Sequence, residues 1–237
     1  MSEQRRVLVV MAHPDDVDFW AGGTVATWVD AGVAVTYALV TGGDAGGFDP
    51  AAPRDDVADQ RREEQRRAAA TLGVTDVRFF EGFRDGQVVA DDALIRSVCR
   101  VIRQVRPHRV LAQSPTRAWH DIRLSHPDHL AVGEAVARAV YPFARNPFAF
   151  PELAAEGLAA FEVRELWLQG DPEPNHTVDV TAVWARREAA LFEHVSQHPD
   201  QERARERLRQ EAAAVAVKAG LGPGRYAEEF RVIPIPA

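Results

Sequence analysis

The stretch Val7-Leu8-Val9-Val10-Met11-Ala12-His13-Pro14-Asp15-Asp16 joins a continuous apolar run to three titratable side chains within four residues. A run that is apolar at every position and β-branched suits a strand covered on both faces, as in a parallel sheet. Working outward, Thr24 to Val29 reads as a helix that ends at Gly32, and Val33 to Val40 as a second strand closed by Thr41-Gly42-Gly43. Strand, helix and strand with short connections make a βαβ unit. Further strands are expected at 77–80, 109–113 and 163–168, with a short edge strand around Val178 and Val180. Helices are expected at 55–72, with Gly73 just past the end, and at 94–105, 129–140, 181–195 and 201–219. Residues 42–54, 114–126 and 142–158 read as loops or irregular segments. The alternation predicts one α/β domain over residues 1–237, Rossmann-like, with three α/β/α layers and a mostly parallel sheet.

The 237 residues are 46% apolar and 27% charged, which suits a soluble globular chain and excludes wholesale disorder. The formal net charge of −7 gives no overall basic footprint, so no nucleic-acid partner is expected. No stretch approaches the ~20 apolar residues of a spanning helix, and the run at 7–12 is too short for a secretion signal. The expectation is therefore a cytoplasmic protein without a membrane partner. Asn175-His176-Thr177 matches a glycosylation sequon, but without a secretion signal it carries little. Cys99 is the only cysteine. That excludes an intrachain disulfide and a cysteine-based zinc site, and its helical surroundings suggest a buried, inert thiol.

His13-Pro14-Asp15-Asp16 falls just past the carboxyl end of the first strand, the edge where open α/β sheets bind ligands. Adjacent carboxylates beside a histidine repel each other unless a cation offsets them. Ser125-His126-Pro127-Asp128-His129 follows the strand at 109–113 and opens a helix, again with a pair of titratable residues three apart. One such tripeptide alone could be a turn with Asp16 capping the next helix. Two of them, each between a strand and a helix, favour a metal site that keeps open positions for catalysis. Two histidines and a carboxylate also suit iron, so zinc and Fe2+ both fit the spacing. G-x-S-x-G, G-x-x-x-x-G-K-[ST] and H-E-x-x-H are absent. The Gly42-Gly43-Asp44-Ala45-Gly46-Gly47 segment reads as a loop, with contact to substrate as the alternative.

These residues resemble the two signatures of the LmbE-like, or PIG-L, family of zinc-dependent N-acetylglucosaminyl deacetylases. The likeness continues through Arg61-x-x-Glu64, Phe83-Arg84-Asp85-Gly86, Pro151-Glu152-Leu153, Asp179-Val180-Thr181 and His194-Val195-Ser196-Gln197. The resemblance implies the family fold and assigns His13, Asp16 and His129 as zinc ligands and Asp15 as general base. It assigns His126, when protonated, as donor to the oxyanion, with Asp128 orienting it, and places Arg61 and Asp85 against the sugar or its substituent. His194 receives no role. Val17 stands where many members have Glu, so either Asp18 supplies that carboxylate or the surrounding network differs.

The implied reaction is removal of an N-acyl group, foremost N-acetyl, from an amino sugar or glycoconjugate. Alternatives are an amidase of mycothiol-type thiol conjugates and a secondary-metabolite deacetylase. From other classes come a non-haem iron oxygenase and a non-catalytic binding protein. Phe143, Phe148, Phe150 and Phe161 either pack into the core or bury a homo-oligomer interface.

Overall fold

The computed structural model describes residues 5–119 and 121–236. Residues 1–4 of the N-terminal segment, position 120 of the predicted loop at 114–126 and position 237 at the end of the expected domain lie outside the described residues. Strands β1 (Arg6–Met11), β2 (Ala34–Leu39), β3 (Asp76–Phe79), β4 (Arg109–Gln113), β5 (Glu165–Gln169), β6 (His176–Asp179) and β7 (Ala227–Pro234) form one sheet. Their order is β3-β2-β1-β4-β5-β7-β6. The first five are parallel, and β7 runs antiparallel to both β5 and β6.

β1 shows why its sequence has no polar alternation. Leu8, Val10 and Ala12 pack on one face with the core that includes α4 (Asp92–Val105) and α5 (Pro127–Arg138). Val7, Val9 and Met11 pack on the other with α2 (Gly22–Asp30) and α3 (Arg54–Leu72). Both faces are covered, so both sets of side chains are apolar. The chain winds outward from β1 through β2 to β3, then returns to lay β4 and β5 on the opposite side. The winding reverses between β1 and β4, the switch point at whose carboxyl end open α/β sheets bind ligands.

Several boundaries depart from the expectation. A short helix, α1 (Asp16–Trp20), starts directly at the first motif. The predicted helix at 129–140 begins earlier, at Pro127, and passes into a π-turn over Ala139–Phe143. The predicted helix at 181–195 is a 3-10 turn (Thr181–Val183) followed by α7 (Trp184–Leu191). The irregular segment at 142–158 contains α6 (Pro151–Ala155), and the last helix, α8, spans Gln201–Lys218. Strand β7 has no forerunner in the sequence reading, because Glu228, Glu229 and Arg231 break its apolar pattern. Glu228 faces inward for a reason. Its carboxylate accepts from the Gly23 and Thr24 amides at the start of α2, at 2.9 and 2.7 Å, and pairs with buried Arg187 at 2.8 Å.

Phe143, Phe150 and Phe161 pack against the core, while Phe148 is exposed. Cys99 is fully buried, and burial pushes its thiol up to about 12, so it is inert as expected.

Gly133 lets α5 lie directly on the end of β4. A Cβ at that position would sit 2.5 Å from the Gln113 carbonyl oxygen and 2.7 Å from the Pro115 nitrogen, both backbone atoms. Gly133→Ala is expected to cost about 2–3 kcal/mol of stability despite alanine's better helix propensity, measured by denaturant unfolding.

Candidate metal centre

The switch point between β1 and β4 gathers both motifs. The rings of His13, His126 and His129 lie 5.0–5.3 Å apart, centroid to centroid. Each offers a nitrogen within 4.8 Å of the others. His13 and Asp16 leave the end of β1, while His126 caps α5 and His129 lies in its first turn.

Asp16 is buried and divides its two oxygens. Oδ2 accepts from the His13 amide at 2.8 Å and from Gln113 Nε2 at 2.7 Å. Oδ1 faces His129 Nε2 at 3.1 Å, and Oδ2 lies 3.3 Å from His13 Nδ1. Ligands held 2.0–2.1 Å from a tetrahedral zinc stand about 3.3 Å apart, so the Asp16–His129 and Asp16–His13 separations each suit a shared ion, and His13, His126 and His129 form a second set of donors close enough for one. Asp16 does not cap the following helix. The cap position is Asp15, whose side chain makes no capping bond.

His13 is oriented from behind. Its Nε2 meets Asp128 Oδ2 and Asp85 Oδ1, each at 3.1 Å, so a neutral ring would carry its proton there and turn the Nδ1 lone pair toward Asp16. Carboxylates behind a ligating histidine are the usual way its tautomer is set. Burial opposes a charge on His13, but Asp16, Asp128 and Asp85 outweigh it and raise the ring well above its ordinary value. Burial also opposes ionisation of Asp16, yet His129 and His13 hold that carboxyl well below the usual range. A buried nest of this many carboxylates suits a divalent cation.

One expected contact differs. The Asp128 carboxylate does not orient His126. It accepts from the Gly86 amide at 2.7 Å and the Val88 amide at 3.2 Å and supports His13. The link to His126 runs through the Asp128 backbone amide, which donates to His126 Nδ1 at 3.2 Å. That assigns the neutral ring's proton to Nε2. Burial lowers the His126 pKa, and the neighbouring His13 and His129 lower it further.

Arg61 and Asp85, expected against the sugar, also make contacts within the protein. Buried Arg61 donates to the carbonyls of Gly43 and Pro14, each at 2.8 Å, and to Asp15 Oδ2 at 3.1 Å. Asp85, also buried, accepts from the Ala45 amide at 3.2 Å besides facing His13. Arg61 and Asp85 thereby tie the glycine-rich segment to the centre.

Asp15 sits at φ +87°, a left-handed conformation uncommon outside glycine and often found at functional sites. Arg61 holds its carboxylate, Gln65 Oε1 accepts its amide at 3.0 Å, and its carbonyl accepts from the Phe19 amide. Burial raises its pKa, Asp16 adds to the rise, and Arg61 opposes it.

His194, left without a role by the sequence, is fully buried with its Nε2 2.9 Å from Asp18 Oδ2. The same oxygen accepts from Gln65 Nε2 at 2.8 Å. Asp18 therefore serves the His194–Gln65 network that carries the Asp15 backbone, while Val17 is plain core. Asp18→Ala would leave His194 buried and unpaired. We expect a loss of about 3–5 kcal/mol, read by chemical denaturation. Gln113 also escaped the sequence reading. Its signal was a lone polar residue ending an apolar strand, and its amide joins the Ala12 N–H to Asp16.

The family model for GlcNAc-PI de-N-acetylases, PIG-L, matches residues 8–140, which span both motifs. The chain belongs to this family. Among PIG-L relatives, it is 31% identical to diacetylchitobiose deacetylase of Thermococcus kodakarensis, over 98% of this chain and 85% of that one. It is 33% identical to a probable N-acetyl-alpha-D-glucosaminyl L-malate deacetylase 2 of Bacillus cereus, over 82% and 84%. The solved N,N'-diacetylchitobiose deacetylase of Pyrococcus horikoshii superposes with a TM-score of 0.89 at 29% identity, covering 98% of this chain and 85% of that chain. The seven-stranded, mostly parallel sheet is the fold of this PIG-L group. Among the described residues, no helix is long and apolar enough to cross a membrane.

Proposed function

We propose that this chain is a zinc-dependent amide hydrolase that removes the N-acetyl group from an N-acetylglucosamine-containing small molecule. The observation that carries the reading is the Asp16 carboxylate facing His129 at 3.1 Å and His13 at 3.3 Å, next in the chain to Asp15 and with the His126 ring against both histidines. His13 Nδ1, Asp16 Oδ1 and His129 Nε2 would hold the ion. A divalent zinc bound there supplies an acidified water and polarises the amide carbonyl.

Asp15 takes the proton of the attacking water on its carboxylate, which burial has already made more basic than an exposed one. His126 donates from Nε2 to the oxygen that gains charge. Asp128 and Asp85 keep the His13 ring fixed from behind while this happens. Asp15 then passes its proton to the leaving nitrogen. One C–O bond forms, the C–N bond breaks, and a carboxylate and a free amine depart. All the residues named lie at one edge of one sheet, so the chain works as a single catalytic domain. The relatives named above are deacetylases of GlcNAc-containing compounds, which supports the substrate class.

The test is release of primary amine from N-acetylglucosamine glycosides, GlcNAc-malate, GlcNAc-inositol and diacetylchitobiose by zinc-loaded and chelator-treated protein. Release that chelation abolishes and zinc restores is expected. Release indifferent to chelation would refute the metal-dependent reading. Oxygen uptake by iron-loaded protein in place of amine release would turn the assignment to an oxygenase.

A further inference from the structure

On its β5 side the candidate centre borders a small cavity beside His129. A slot of about 10 Å³ lies against His129 and Gln113 and is walled by Trp20, Leu124 and Gln169. Those three walls also line a larger cleft of about 130 Å³, which reaches the apolar side chains of α8, Ala212 and Val215 among them. The slot seats one water-sized or methyl-sized group, and the cleft beyond holds about four more, on a share of roughly 30 Å³ each.

The chemistry of the proposed site says what points that way. The tetrahedral carbon formed on attack carries the entering oxygen, the oxyanion, the leaving nitrogen and the acyl chain. The nitrogen must face Asp15, which returns its proton. Asp15 is held on the β2 side, by Arg61 and Gln65 of α3. The oxyanion faces His126. Neither Asp15 nor Arg61 lines the slot, which adjoins His129 on the far side, next to the end of β5. The direction left for the acyl chain is the slot.

We propose that the slot and cleft form an acyl site through which the protein accepts straight aliphatic N-acyl groups longer than acetyl, up to about hexanoyl. The acetyl methyl occupies the slot, and each added methylene continues between Trp20 and Leu124 toward α8. The chemistry is the same hydrolysis, with a longer carboxylate as product. The charged lining of the cleft is four carboxylates, Asp171, Glu211, Glu228 and Glu229, against one cation, Arg187, already paired with Glu228, so an acyl chain ending in a carboxylate is disfavoured. This inference rests on the deacylase reading above.

The experiment compares N-acetyl, N-butyryl, N-hexanoyl and N-succinyl glucosamine glycosides on the zinc-loaded protein, wild type beside Val215→Trp. Each buried methylene is worth about a fourfold gain, so kcat/KM for butyryl, two methylenes longer, is expected to exceed that for acetyl by about fifteenfold. Succinyl should fall below butyryl. Val215→Trp narrows the cleft from α8 and should lower the hexanoyl-to-acetyl ratio at least tenfold. Calorimetric binding of acetate, butyrate and hexanoate gives a readout independent of turnover, and affinity should rise along that series. Acetyl release with rates and carboxylate affinities that fall at every added methylene would overturn the acyl site while leaving the deacetylase reading intact. No release from any substrate would instead overturn that reading, and the carboxylate series would still decide the cleft.

Discussion

Asp15→Asn is expected to keep its metal and to lose roughly a thousandfold in kcat. Asparagine is nearly isosteric, so Arg61 retains the Gly43 and Pro14 carbonyls that fix it, and the Gln65 bond to the backbone amide at position 15 does not depend on the side chain. The His13, Asp16 and His129 donor atoms are untouched. What disappears is the carboxylate that holds the water's proton, and a positioned base of this kind contributes about 10²–10⁴-fold. Metal content by atomic emission and amine release on the same preparation check both halves. A variant with full metal and near-normal turnover would remove Asp15 from the chemistry. A variant without metal would make Asp15 part of the ion's cradle.

His129→Ala is expected to lose both metal and activity. His129 Nε2 and Asp16 Oδ1 face each other at 3.1 Å, and among the described residues no other histidine faces Asp16 Oδ1. His126 is the nearest candidate, with a ring centroid 5.2 Å from that of His129, but its Nδ1 already accepts the Asp128 amide. Three protein ligands reduced to two, one of them a buried carboxylate whose pKa His129 holds down, leave a weak site. Bound zinc should fall well below one per chain after dialysis. The α5 start should survive, because His126 caps it and Pro127 opens it. Full zinc occupancy in a folded His129→Ala protein would refute its ligand role.

The sequence by itself determined the alternation of strands and helices and the parallel sheet. It also placed both titratable clusters at strand ends. Those readings rest on local rules: a two-sided strand is apolar throughout, Gly73 ends α3 at φ +88°, and chemistry gathers at carboxyl edges. The residue types of the candidate ligands were legible for the same reason, since both motifs are contiguous in the chain.

The tertiary structure decided what each side chain does there. Asp128 and Asp85 turn to His13, and Arg61 turns to Asp15, because the loop after β3 and helices α3 and α5 converge on one buried point. His194 reaches Asp18 across 176 positions of sequence, and Glu228 crosses 205 to cap α2. Strand β7 was illegible because one buried glutamate answers to a helix end and an arginine that no local pattern contains. A buried polar group takes whichever partner satisfies it, and only the folded chain brings that partner near.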